Sequence, residues 1–186
     1  MKFTSFSRPL ALATIICCCV LAEPVEFTAP VIGISDGDTI KVLQDGVPVR
    51  IRLWGIDSPE LRQAFGMRAK QFTADLAFGK VVTIRVHDVD RWKRQVAEII
   101  LPDGRNLNYE IVRAGFAWWY VRYARHDQDL ERLEMEAKKE ERGLWSDKNP
   151  MPPWEFRNGP STTSRNRSTM PQNEPVAVAG ALEQAR

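Results

Sequence analysis

Between Arg52 and Glu60 the chain reads Arg-Leu-Trp-Gly-Ile-Asp-Ser-Pro-Glu, which places one guanidinium and two carboxylates where an apolar, strand-like segment opens into a Pro-containing turn. An alternating strand does not choose such residues for packing. At the mouth of a strand they could hold a metal ion, activate a water and neutralise an anion. That is the combination hydrolysis of a phosphodiester requires. The competing reading is a surface salt-bridge cluster with Pro59 as a breaker. Against it, Arg52 lies on a segment whose Ile51 and Leu53 take the opposite face, and Pro59 rigidly presents Glu60 just past Asp57.

Two further segments carry charge in places that chemistry could use. Asp36-Gly37-Asp38-Thr39 puts a carboxylate at a strand start, where a hard cation could take oxygen ligands. Taken alone, such a turn more often simply links two strands. Asp90-Arg91-Trp92-Lys93-Arg94 falls in a connection between two strands, where a solvated charged loop is the default. A fixed guanidinium at Arg94 could instead hydrogen-bond two oxygens of a phosphorane-like transition state at once.

The elements that would position these residues are legible as patterns. Val31, Ile32 and Ile34 precede the 36–39 turn; Ile40, Val42 and Leu43 form a second run, and Gln44-Asp45-Gly46 is a hairpin signal. Val49, Ile51 and Leu53 alternate with Arg50 and Arg52 at a period of two. Phe65, Ala69, Phe72 and Leu76 recur at helical spacing up to Gly79. Val81–Val86 and Val96–Leu101 predict two more strands, the second ended by Pro102-Asp103-Gly104. Leu107, Ile111 and Val112 predict a short helix closed by Gly115. Asp127 suits the N-cap of a last helix with Leu130, Leu133 and Ala137 inward and Gly143 as its stop. The charged run from Glu136 to Arg142 is that helix's solvated face. Five short strands with interspersed helices predict an α+β, mainly β fold: a small closed barrel with helices packed outside it.

The ends differ from this middle. Lys2 and Arg8 precede an apolar run from Leu10 to Leu21, and Val20-Leu21-Ala22 ends on the small residue a signal peptidase requires. Residues 1–22 therefore read as a cleaved export signal, too short in its apolar run for a bilayer span of about 20 residues. Cleavage after Ala22 removes Cys17, Cys18 and Cys19, leaving no disulfide, thiolate metal site or cysteine nucleophile. It also removes two bases and no acid from a chain with 26 Lys and Arg against 24 Asp and Glu, which balances the charge. Affinity for nucleic acid then has to come from the placement of charge and not from its excess. Residues 23–156 form the folded domain, and 157–186, rich in Ser, Thr, Asn and Pro without apolar period, form a polar, disordered tail.

The three charged segments, in this order on this strand pattern, resemble the staphylococcal nuclease (thermonuclease) family, from about Val31 to Trp145. Gly143-Leu-Trp145 and Asn108 match that family's framework as well. The resemblance implies a five-stranded OB-fold barrel with three helices, acting as a calcium-dependent nuclease on DNA and RNA to leave 3′-phosphate ends. It implies Asp38, Asp57 and the backbone carbonyl of Ser58 as ligands of Ca2+, Glu60 as the general base, and Arg52 and Arg94 as the phosphate clamps. Tyr123 matches a tyrosine that contacts substrate, and Arg91, Trp92 and Lys93 of the 90–94 loop are expected to bind substrate as well. The other such tyrosine aligns with Val121, and Tyr120 takes its place after a local shift. Two departures stand out: Trp92 replaces the usual tyrosine, and Lys93 replaces a glycine. A lysine takes positive φ only at a cost, which bears on how the loop aims Arg94.

Trp118 and Trp119 read as packing residues. His87 and His126 are solitary, without metal-ligand spacing, and no Gly-rich phosphate loop or Gly-x-Ser-x-Gly elbow occurs. The expected protein is an exported, monomeric endonuclease, secreted or periplasmic, with no stable membrane association after signal cleavage. Its rivals are a nucleic-acid-binding OB module without catalysis and an interaction module whose charges form surface pairs.

Overall fold

The computed structural model describes residues 25–159. The expected signal sequence, with its three cysteines, and residues 160–186 of the expected tail lie outside the described residues. No described helix is long and apolar enough to cross a membrane.

Five strands close a barrel: β1 (Val25–Asp36), β2 (Thr39–Gln44), β3 (Val47–Leu53), β5 (Val81–Val89) and β6 (Gln95–Ile100). A two-residue β4 (Ile56–Asp57) pairs outside the barrel with β7 (Trp118–Trp119). Around the barrel the order is β1-β2-β3-β6-β5, with β3 and β6 parallel and every other pair antiparallel. This is the expected five-stranded OB-type barrel. Strand β1 closes it by serving both neighbours in turn. Val25–Pro30 pair with β5 and Val31–Asp36 with β2, and two bulges in the second half bend the strand towards the 36–39 turn.

Alternation decides what faces inward. On β3, Ile51 and Leu53 are 0% and 1% exposed, while Arg50 and Arg52 point out. Ile40, Val42, Val82, Ile84, Ala97 and Ile99 complete the barrel interior.

The three expected helices are α1 (Gly66–Ala77), α2 (Leu107–Arg113) and α4 (Gln128–Lys139). Two short ones join them, α3 (Val121–Ala124) and α5 (Pro153–Asn158), with a 3-10 turn at Gly143–Ser146. Four and six residues are too few to show a helical period. The boundary expected at residue 157 falls inside α5, so Arg157 belongs to the folded part of the chain.

The buried line of α1 is made of small residues, Gly66, Ala69, Thr73 and Ala77, with Phe72 and Leu76 partly buried beside it. Small residues are needed because α1 lies directly on the 36–39 turn. Thr73 Oγ1 donates to the Gly37 carbonyl at 2.6 Å, and a Cβ on Gly37 would lie 2.8 Å from that of Ala69.

Asn106 and Asp127 cap α2 and α4 through their side-chain oxygens. Asn108, fully buried, ties α2 to the barrel. It accepts from the Ile99 amide at 3.2 Å and donates to the carbonyls of Trp54 at 2.8 Å and Ala97 at 3.2 Å. Replacing Asn108 with Ala strands the Ile99 amide and the Trp54 carbonyl, while the Ala97 carbonyl keeps its bond from the Trp54 amide, so denaturant unfolding should show a loss of roughly 3 kcal/mol. A loss under about 1 kcal/mol would mean that α2 is held by its apolar face alone.

Candidate active site

Asp38 and Asp57 meet at the open end of β3. Asp38 stands just before β2, and its carbonyl accepts from the Leu53 amide at 2.8 Å, fixing the turn to the strand that carries Arg52. Its Oδ2 accepts from the Ser58 amide at 2.5 Å and its Oδ1 from Thr39 Oγ1 at 3.3 Å. Asp57 is aligned by the pairing of β4 with β7, in which it faces Trp118. Strand β7 is in turn anchored by Glu134 of α4, which accepts from the Trp119 amide at 3.0 Å and from Lys138 Nζ at 2.7 Å. Glu134 is only 9% exposed: a carboxylate inside a charged helix serves the site and not the solvent.

The two aspartates are 2% and 0% exposed, and carboxylates so buried require partners. Arg52 supplies both. Its Nη1 pairs with Asp38 Oδ1, and its Nη2 donates to Asp57 Oδ1 at 2.7 Å and to the Ile56 carbonyl at 3.1 Å. The register of β2 and β3, with Thr39 opposite Arg52, makes this reach short.

A second guanidinium, absent from the sequence-based set, enters from α5. Arg157 Nη2 donates to Asp57 Oδ2 at 2.8 Å, and its Nη1 donates to Asp57 Oδ1 at 3.3 Å and Glu60 Oε1 at 2.7 Å. Its bonds to Asp57, and after them that to Glu60, outweigh burial and raise its pKa, so it stays charged. No local pattern announced it, because the contact spans the whole domain from a segment of polar composition.

Glu60 sits in a turn closed by Gln63, whose Oε1 accepts from the Glu60 amide at 3.1 Å. Gln63 Nε2 donates onward to the Met151 carbonyl, tying this turn to the C-terminal segment. The Glu60 carbonyl packs on the start of α1 so closely that a Cβ on Gly66 would lie 1.9 Å from it. Asp38, Asp57, Ser58, Arg52 and Glu60 are thus linked through the two guanidinium groups and the Ser58 amide.

Arg94 is placed differently. The 90–94 hairpin is closed by Asp90, whose Oδ1 accepts from the amides of Trp92 and Arg94, both at 2.9 Å. Asp90 Oδ2 takes the Arg94 Nε proton at 2.7 Å, and the Arg94 guanidinium lies 5.1 Å from the Trp92 ring centroid. Burial pushes the Asp90 carboxyl up, but its bonds from Arg94 and the Trp92 amide outweigh that and hold it below the ordinary carboxylate value. Among the described residues, Arg94 pairs with Asp90 and with none of Asp38, Asp57 or Glu60. Arg91 stacks on the same indole at 4.0 Å. Lys93 does adopt the left-handed conformation, with φ 62°.

Trp118 is packed, 6% exposed, with edge contacts to Trp145 at 5.2 Å and Trp154 at 6.3 Å; Trp119 donates its indole proton to the Ala124 carbonyl at 2.9 Å. The Tyr120 ring is stacked against Trp154 at 5.6 Å. Tyr123, 64% exposed, lines an open cavity of about 800 Å3 with Trp54, His126 and Asp127. His87 stacks on Trp54 at 4.6 Å, away from the aspartates' contacts.

The donor set fits a hard divalent cation. Asp38 and Asp57 are buried carboxylates held by the same guanidinium, and the buried Ser58 hydroxyl has no partner among the described residues. Those residues hold no cluster of three His, Cys, Asp or Glu side chains, so a cation held there would need carbonyl and water oxygens as its further ligands.

Two substitutions probe this geometry. Arg52→Ala leaves two buried carboxylates short of their shared cation and should lower stability by roughly 3–5 kcal/mol in urea unfolding; an unchanged midpoint would refute the bridge. Lys93→Gly removes the left-handed strain and should raise stability by about 1 kcal/mol. A loss of stability would show that the lysine side chain contributes more to the hairpin than its backbone strain costs.

The family model described as staphylococcal nuclease homologue matches residues 50–147. A protein of Escherichia coli O157:H7 described as an uncharacterized endonuclease is 43% identical over 127 residues, which is 68% of this chain and 82% of that one. Protein ParB of Escherichia coli is 40% identical over 168 residues, 84% of this chain and 94% of its own length. A micrococcal nuclease of Shigella flexneri is 40% identical over 141 residues, 71% of this chain and 81% of its own. With the barrel, the paired aspartates and Glu60 already in place, these likenesses mean that the chain belongs to the staphylococcal nuclease family.

Proposed function

We propose that this nuclease is a calcium-dependent endonuclease that cuts DNA and RNA and leaves 3′-phosphate ends. The observation that carries the reading is the convergence of Asp38, Asp57 and Glu60 on Arg52 and Arg157 at the mouth of one strand. Asp38, Asp57 and the Ser58 carbonyl would hold calcium, which when bound supplies positive charge beside the scissile phosphate.

The chain's own residues do the rest. Glu60, with its side chain 37% exposed, is open to solvent on one side and takes a proton from the attacking water at a carboxylate oxygen. The water oxygen forms the new bond to phosphorus, the P–O5′ bond breaks, and the phosphate stays on the 3′ oxygen. Arg52, held by two carboxylates, cannot swing away and offers a fixed positive edge to the non-bridging oxygens. Tyr123, exposed beside the open cavity, offers a ring on which a base can stack, adding roughly 1–3 kcal/mol. The 1–22 segment directs export, and calcium is abundant outside the cytoplasm. The folded protein acts as a monomer.

The test is purified protein on plasmid DNA and on RNA, in calcium and then in excess chelator. Cleavage should require calcium and leave 5′-hydroxyl ends that polynucleotide kinase labels without prior phosphatase. Glu60→Gln should lower kcat by roughly 10²–10⁴-fold while oligonucleotide binding is kept. Full activity in that variant would remove Glu60 as the base. Binding without cleavage by the parent would favour a binding module.

A further inference from the structure

Arg157 lies beyond the stretch that matches the family model, on a helix that no local sequence pattern announced. Its position is nevertheless built. Pro153 at the start of α5 is buried, and Trp154 stacks on Tyr120 at an interplanar angle of 16° while its edge meets Trp118. Trp154 and Arg157 stand three residues apart and share a helix face, so the docked indole aims the guanidinium at Asp57 and Glu60.

Resting on the nuclease reading above, we propose that Arg157 contacts the substrate directly, as the second phosphate-clamping arginine beside Arg52. The argument lies in which protons its fork has left. The end-on pair of Nη protons is taken by the two oxygens of Asp57, and the remaining Nη1 proton goes to Glu60. Among the described residues, the Nε proton and the second Nη2 proton have no partner. These two lie side by side on one edge of the guanidinium, the edge that grips two oxygens of one phosphate. The side chain as a whole is 44% exposed.

Arg94 contrasts on this point. Its Nε proton, half of the same edge, is bound to Asp90. Arg157 thus supplies at the aspartates the fork that the hairpin keeps for its own closure.

The charge count agrees. Asp38, Asp57 and Glu60 carry three negative charges, against two positive charges on Arg52 and Arg157. A divalent cation turns the remaining single negative charge into a single positive one, which matches one phosphodiester.

The test compares wild type, Arg157→Ala and Arg157→Lys as full chains in calcium, cutting a labelled single-stranded DNA. A second arm measures binding of the same DNA by fluorescence anisotropy to Glu60→Gln protein with and without Arg157→Ala. A third measures calcium affinity by calorimetry.

Both substitutions at Arg157 should lower kcat/KM by about 10²-fold or more, because lysine restores the charge but not the paired edge. In the anisotropy arm, Arg157→Ala should weaken binding and reduce the salt slope by about one. Wild-type activity in either variant overturns the proposal. So does calcium binding that tightens in Arg157→Ala while activity holds or rises, which would make Arg157 a counter-ion displaced by the cation. If the wild-type protein cuts nothing in calcium, the nuclease reading fails, and the anisotropy arm still decides whether Arg157 meets the nucleic acid. Unfolding midpoints of the variants within a few degrees of wild type separate lost contacts from lost fold.

Discussion

Two carboxylates, Asp38 and Asp57, are almost wholly buried at the end of a small barrel, and one guanidinium holds both. Taking ions out of water costs several kcal/mol each unless geometry and hydrogen bonds compensate. Arg52 compensates for both at once because β2 and β3 pair in a register that sets Thr39 opposite it. The Ser58 amide and the Thr39 hydroxyl satisfy further lone pairs of Asp38. An arrangement of this kind is a poor way to gain stability. It is a good way to keep negative charge poised for a cation.

Most of the surrounding structure can be understood as fixing the three segments that meet there. Helix α1 presses the 36–39 turn through Thr73 and the bare Cα of Gly37. Helix α4 reaches through Glu134 to β7, and β7 sets Asp57 by pairing with β4. Asn108 holds α2 to the Trp54 carbonyl, immediately after β3. Helix α5 closes the arrangement from the far end of the domain, with Trp154 as its foot and Arg157 as its reach. Thr73, Glu134 and Asn108 are buried polar groups with named partners, and Trp154 and Arg157 add a ring stack and an ion pair.

Much of this was legible in the chain. Strict alternation on β3 separated Ile51 and Leu53 from Arg52, and the turn at 36–39 and the break at Pro59 marked two segments that the fold brings together. The barrel and its three longer helices followed from periods of two and of 3.6. What could not be read were contacts that no period encodes. Glu134 stands just before the Glu136–Arg142 run that read as a solvated face and has no pattern of its own, yet it is buried against a backbone amide. Arg157 lies where composition turns polar, and its partners are about a hundred residues away. The tilt of α1 towards its small residues depends on how near the 36–39 turn approaches, which alternation does not specify. The Lys93 turn shows a different limit. The family resemblance, which sets a glycine at this position, flagged the strain, but only the Asp90 hydrogen bonds show what holds the residue at positive φ and where that leaves Arg94.

The claim at the centre of this account is that Asp38 and Asp57 form a cation site. Calorimetric titration of calcium into the wild-type protein and into Asp57→Asn tests it most directly. The account predicts one calcium bound per wild-type chain and none detectable in the variant, with the variant's fold intact by circular dichroism. Equal calcium binding by the two proteins, or none by the wild type, would contradict it.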